Sequence, residues 1–179
     1  MIGRLNGHTL GGGLEIAAAC DFRVASQSAV FGMPEVKIGI PSVVEAALLP
    51  GLIGWGRTRR LLLLGDNIGA EEALKWGLVE KVVDDDALDG AVEEWVGCLG
   101  KSSRNAVRSQ KQLISKWERL GLDSAIEAGI RQFGQAFEPP SMSDGRNVSG
   151  VSDTGEKKSE PIRIMQEFLL ASKSRREGR

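Results

Sequence analysis

Residues 6–20 read NGHTLGGGLEIAAAC, in which Gly11, Gly12 and Gly13 run straight into an apolar segment that holds one acid, Glu15. Consecutive glycines permit a sharp turn and let a ligand come close to the backbone. The apolar residues 14–20 behind them have the composition of a buried helix. The first turn of a helix presents N–H groups with no internal acceptor, so such a junction can hold an anion or a developing oxyanion. A tight packing turn between strand and helix is the alternative reading. Glu15 lies two residues past Gly13. A carboxylate there can complement the helix dipole or cap free amides. Flanked by apolar residues, it is equally a candidate for proton transfer.

Upstream, residues 2–6 read as a short strand running into a GHTL loop. Downstream, residues 22–25 and 29–31 read as two more strands. The stretch FGMPEVKIGIP that follows is expected to be loop, because Pro34 and Pro41 restrict their neighbours and Gly39 permits unusual dihedrals. It carries the second acid of interest, Glu35. Two carboxylates beside an anion-binding turn form a working unit, one taking a proton while the other gives one. Residues 44–49 and 55–64 are expected helices, 70–76 a helix stopped by Gly77, and 78–83 the last strand.

From Ala87 onward the period is helical. Leu113, Trp117 and Leu120 share one face, and Ile126, Ile130, Phe133 and Phe137 form a single apolar stripe. A βα-alternating half followed by a helical half implies an α/β protein with parallel strands covered by helices. The expected organisation is one domain over 1–138, a disordered insert at 139–159, a C-terminal helix at 160–172 and a basic tail at 173–179. The insert follows from composition: a polar, Gly- and Ser-rich stretch cannot bury enough surface to offset its ordering entropy.

Composition excludes several classes. With 23 basic and 24 acidic residues among 179, no global cationic field points to nucleic acid or anionic membrane. No apolar run approaches the roughly 20 residues of a membrane helix, and no basic-then-apolar leader opens the sequence. Cys20 and Cys98 form neither a metal spacing nor a disulfide framework, which fits a reducing, intracellular setting whose compartment stays open. With one histidine and no tyrosine, chemistry falls to carboxylates and backbone amides. His8 reads as hydrogen-bonded structure at a strand end. Trp55, Trp76, Trp95 and Trp117 read as core or interface anchors. Arg57, Arg59 and Arg60 could meet phosphate or form a solvated helix face. A nucleotide-binding Gly loop is disfavoured, since neither a P-loop Lys-Ser/Thr nor a full GxGxxG is present.

NGHTLGGGLEIAAACDFRVAS, FGMPEVKIGIP and GDNIGAEEALKWGLVEKVV together resemble the crotonase superfamily, and within it the enoyl-CoA hydratase/isomerase family. The resemblance is ordered and near-continuous from Ile2 to Phe137. It implies a partial crotonase-like ββα spiral with a helical C-terminal region that builds trimers or hexamers, and acyl-CoA thioester substrates with no metal or redox cofactor. It assigns Gly12 as one N–H donor of an oxyanion hole, Glu15 as the holder of water, and Glu35 as the proton donor to the α-carbon. Gly11, Gly13 and Pro34 are implied as substrate-binding positions. The implied reaction is reversible syn hydration of a 2-enoyl-CoA. A Δ3,Δ2-enoyl-CoA isomerase on the same scaffold is the first alternative, and a chain that only binds or assembles with full-length relatives is the second. The family carries a first oxyanion amide upstream of NG…GGG, so an N-terminally truncated member is expected. Where many hydratases continue with a GAGGT-like turn, this chain reads IPSVVEAALLPGLIGWG, which adds Glu45 as a third carboxylate.

Overall fold

The computed structural model describes residues 1–137 and 161–167. It divides into two compact units, Met1–Lys101 and Ser102–Arg179, a boundary that falls inside the stretch expected to be one domain. The 139–159 insert and the 173–179 tail lie outside the described residues. Within the expected helix at 160–172, residues 161–167 are described and helical.

Unit one is a coil of paired strands. Strands β1 (Ile2–Leu5), β3 (Phe22–Ser26) and β6 (Lys81–Val83) form one sheet in the order β1-β3-β6, all parallel. Strands β2 (His8–Leu10), β4 (Val30–Gly32) and β5 (Asn67–Gly69) form the second in the order β2-β4-β5. There β2 and β4 are parallel and β4 and β5 antiparallel. Ile2 pairs with Phe22 and His8 with Val30, so each circuit of the coil returns after 20 or 22 residues. Helix α1 (Gly12–Ala18) closes the first circuit, and α2 (Leu49–Leu64) follows β4 after two short 3-10 turns, Pro34–Ile38 and Ala46–Leu48. Helix α3 (Ala70–Trp76) lies between β5 and β6, and α4 (Leu88–Gly100) ends the unit after a third 3-10 turn at Asp85–Ala87.

Burial explains this winding. Leu14 from α1, Phe31 from β4, Leu49 and Leu61 from α2, Ile68 from β5 and Leu78 after α3 are all at most 2% exposed and share one core. On the other face of the first sheet, Val24 packs with Leu88 and Ala91 of α4. Trp95 of α4 meets Phe22 edge-on, with ring centroids 5.4 Å apart, an orientation that aromatic quadrupoles favour.

Several local expectations need correction. Of GHTL, His8–Leu10 is strand β2, because a partner 22 residues downstream supplies the ladder that local composition could not reveal. Residues 34–38 are a 3-10 turn with Pro34 at its start. Residues 44–49 do not form one helix, since α2 opens at Leu49 with Pro50 in its first turn, where its missing N–H costs nothing. The helix expected from residue 55 is real but continues α2 across a break at Gly54. Only the last half of 78–83 is strand. Leu78 N donates to Ala73 O to finish α3 (2.9 Å), leaving Leu78 and Val79 to the core. Trp55 is not a core residue: it is 64% exposed, with the Arg59 guanidinium 5.5 Å above its ring.

Unit two contains α5 (Arg104–Trp117) and α6 (Leu122–Phe137). Ser103 caps α5 by accepting from Ala106 N at 3.2 Å. Leu113, Ala125 and Ala128 are buried. Trp117 Nε1 donates to Ala125 O at 3.1 Å, and Gln132 Nε2 to Ser109 Oγ at 3.1 Å. The stripe read as one apolar face of α6 is present but, among the described residues, left exposed: Ile126, Ile130 and Phe133 are each more than half exposed.

Candidate active site

The geometry begins at Gly11, whose φ of 54° and ψ of −126° lie where a side chain would clash with its own backbone. Its N–H donates to Gly32 O of β4 at 2.9 Å, and its carbonyl accepts from Leu14 N at 2.8 Å and Glu15 N at 3.1 Å. One residue thus ends β2, starts α1 and ties both to β4. The N–H groups of Gly12 and Gly13, first in the helix, have no intrahelical acceptor. Both glycines are exposed, and a Cβ on either would meet nothing within 4 Å. The turn is open where the amides emerge and closed behind them.

What closes it is Glu35. A Cβ placed on Gly11 would stand 3.3 Å from Glu35 Cδ and inside contact distance of Oε1. The carboxylate therefore lies against the glycine turn, 24 residues away in the chain, because Met33 is fully buried beneath the loop and the 3-10 turn points residue 35 back toward β2 and β4. Oε2 of the same carboxylate accepts from Ser42 Oγ at 3.1 Å. The loop has support behind it too. A Cβ on Gly65 would meet Val36 Cγ1 at 3.1 Å and Lys37 Cε at 3.2 Å, and one on Gly32 would strike the Asn67 side chain and Asp66 O. The turn after α2 thus packs on both the Glu35 loop and the strand that anchors Gly11.

Glu15 is 4% exposed, and its Oε1 is buried with no hydrogen-bond partner among the described residues. A buried acceptor without a donor is costly, about 1–3 kcal/mol, and such groups concentrate at functional sites. Helix α1 is fixed from its far end by Arg23 of β3, which is 3% exposed. Arg23 Nη1 donates to Cys20 O at 2.7 Å and to Ala17 O and Ala18 O at 3.4 Å, while Nη2 pairs with Glu80. A cation on the last carbonyls of a helix complements its dipole. Arg23 carries no mark in the sequence. Only the parallel register that slides β3 past the end of α1 reveals its role.

The structure thus brings Gly11 and Glu35 into contact, carries Glu15 on the helix that starts there, and leaves Gly12 and Gly13 as open backbone. Pro34 starts the 3-10 turn and is half-buried. His8 is exposed on β2, and Glu45 is exposed at the head of the second 3-10 turn. The arginine cluster is internally engaged: Arg60 pairs with Asp66 and Glu72, and Arg57 donates to Trp76 O at 3.0 Å. The hydrogen bonds that Arg60 donates to Asp66 and Glu72 hold its guanidinium above the usual range. Among the described residues no group of three or more His, Cys, Asp and Glu could hold a metal ion, and no helix is long and apolar enough to cross a membrane.

Residues 1–152 match the family model described as enoyl-CoA hydratase/isomerase. The short-chain-enoyl-CoA hydratase of Clostridium acetobutylicum is 37% identical over 145 residues, 80% of this chain and 56% of that protein. The crotonyl-CoA hydratase of Syntrophomonas wolfei is 37% identical over 146 residues, 81% of this chain and 56% of that protein. The crystal structure of an enoyl-CoA hydratase from Bacillus anthracis superposes with a TM-score of 0.72 at 35% identity, covering 74% of this chain and 52% of that one. The fold and these matches place the chain in the crotonase superfamily. Within that superfamily, the chain belongs to the enoyl-CoA hydratase/isomerase family. It spans about half the length of these relatives.

Proposed function

We propose that this chain carries the acid–base half of an enoyl-CoA hydratase site and acts in the reversible syn addition of water to a 2-enoyl-CoA thioester. The observation that carries this reading is the approach of Glu35 to Gly11, which sets a carboxylate beside the amides that open α1. In the forward direction, Glu15 accepts a proton from water as the oxygen attacks the β-carbon. Electron density moves onto the thioester oxygen, which Gly12 N–H stabilises as an enolate. Glu35, which enters in this direction as the carboxylic acid, then delivers its proton to the α-carbon as the enolate collapses to the 3-hydroxyacyl thioester, and proton exchange with water returns Glu15 to the carboxylate and Glu35 to the acid. In reverse, Glu35 is the base. Oε1 of Glu15 is buried and meets no protein donor among the described residues, so a water admitted with the substrate finds an acceptor that no protein hydrogen bond occupies. By the family resemblance, the enolate's second amide donor belongs to a segment N-terminal to the Asn6–Gly13 stretch. No metal or redox group is required, because the thioester itself acidifies the α-carbon.

The exposed apolar stripe on α6 supports a homo-oligomer as the working form, since a face of that kind on a lone chain favours association. The test is product analysis with crotonyl-CoA. Formation of 3-hydroxybutyryl-CoA supports hydration; migration of the double bond in a 3-enoyl-CoA without water uptake would assign isomerisation instead.

A further inference from the structure

Ser42 lies in the segment where this chain departs from the GAGGT-like turn, and neither the glycine turn nor the acid pair draws attention to it. The 3-10 turn at Pro34–Ile38 ends at Gly39, with φ 79°, a left-handed conformation suited to glycine. Ile40 N then donates to Glu35 O at 3.2 Å, folding the chain back on itself. That reversal brings Ser42, seven residues on and itself half-buried, over the Glu35 side chain, where Oγ donates to Oε2 at 3.1 Å. The other carboxylate oxygen, Oε1, faces Gly11. The two oxygens therefore have different surroundings, one held by a hydroxyl and one turned to the amide-bearing turn.

We propose that Ser42 is a positioning residue for Glu35, its hydroxyl anchoring Oε2 so that Oε1 is the oxygen presented at the glycine turn. This rests on the hydratase reading for its catalytic meaning, though not for its geometry. A hydroxyl that donates to Oε2 occupies that oxygen as an acceptor whether or not Oε1 carries a proton, so the anchor persists through both halves of the acid–base cycle. Without it, the carboxylate rotates about χ3, a broad torsion with little intrinsic preference, and Oε1 spends less time aimed at the turn.

Three variants of the protein carrying this chain test the assignment: Ser42→Ala, Ser42→Thr and Glu35→Gln. The first readout needs no turnover: the orientation of the Glu35 carboxylate in crystal structures of the variants, with the Glu15 carboxylate as internal reference. In Ser42→Ala the Glu35 oxygens should be rotated or spread about χ3 while Glu15 is unchanged, and Ser42→Thr should restore the single orientation. Folded Ser42→Ala with the Glu35 carboxylate in its original orientation overturns the proposal. Should Ser42→Ala not fold, Ser42→Cys, which keeps the volume and weakens the donor, takes its place. The second readout is hydration of crotonyl-CoA. Ser42→Ala should lower kcat about tenfold with KM within about twofold, and Ser42→Thr should recover most of it. In a Glu35→Gln background, Ser42→Ala should change kcat no further. Loss of rate in Glu35→Gln with a wild-type rate in Ser42→Ala refutes the positioning role alone. A wild-type rate in Glu35→Gln refutes the hydratase reading, whatever the carboxylate orientations show.

Discussion

Replacing Gly11 by alanine should damage the site out of proportion to the single methyl group added. Two costs arise together. At φ 54° and ψ −126° a non-glycine residue is strained by about 1–3 kcal/mol. The methyl would also stand 3.3 Å from Glu35 Cδ and closer still to Oε1, so the carboxylate must retreat by about 1 Å, and a displacement of that size costs about 10²-fold in rate. At about 4–8 °C per kcal/mol for a unit of this size, the melting temperature should fall by at least about 4 °C. Gly97→Ala in α4 is the built-in control: its methyl meets nothing within 4 Å, and alanine favours the helix by about 1 kcal/mol over glycine. Circular dichroism melts and the decay of enone absorbance in crotonyl-CoA give the two readouts. Gly11→Ala with unchanged melting temperature and unchanged kcat would refute the placement of Glu35 on the turn.

Three further outcomes are expected. Glu15→Gln and Glu35→Gln should each lower crotonyl-CoA hydration by about 10²–10⁴-fold while circular dichroism stays native; a wild-type rate in either removes that carboxylate from the mechanism. Arg23→Met should destabilise unit one by about 3 kcal/mol in urea melts, the lower end for breaking a buried pair, because Glu80 remains one-third exposed; a loss under about 1 kcal/mol would show that α1 does not depend on this cap. Asp85 accepts from the Ser28 hydroxyl at 2.9 Å and the Ser28 amide at 3.2 Å, and these bonds hold its carboxyl below the usual carboxylate range. Its contribution is therefore present above the unfolded carboxyl's range and lost as pH falls through the lowered folded value. Asp85→Asn should flatten that acid-side loss in melts taken from pH 7 to 2, and an identical pH dependence in both proteins would contradict the linkage.

What could be read from residues alone was whatever is encoded locally. The helix at 70–76 and its stop at Gly77 come from composition and one glycine, and both are where expected. The two glutamates were legible because each adjoins a Gly- or Pro-shaped stretch. Strands β2 and β5 were not, since each has three residues whose ladder partner is distant in the chain; such short pairings leave no period to detect. Arg23 and Ser42 escaped for the same reason. A buried arginine in DFRVAS and a serine after proline look ordinary until β3 passes the end of α1 and Gly39 reverses the loop. The contact of Glu35 with Gly11 is itself tertiary: the residues were visible, their approach was not. The α6 stripe shows the reverse case, in which the periodicity was right and burial did not follow within the described chain.

Hydration of crotonyl-CoA in D2O, followed by NMR of the product, interrogates the two-carboxylate mechanism at the bonds it makes. The expected product is 3-hydroxybutyryl-CoA with a single deuteron at the α-carbon, on the same face as the added oxygen, and none of it should form once Glu15 and Glu35 are both glutamine. Stereorandom deuteration, or undiminished product from the double variant, would contradict that mechanism.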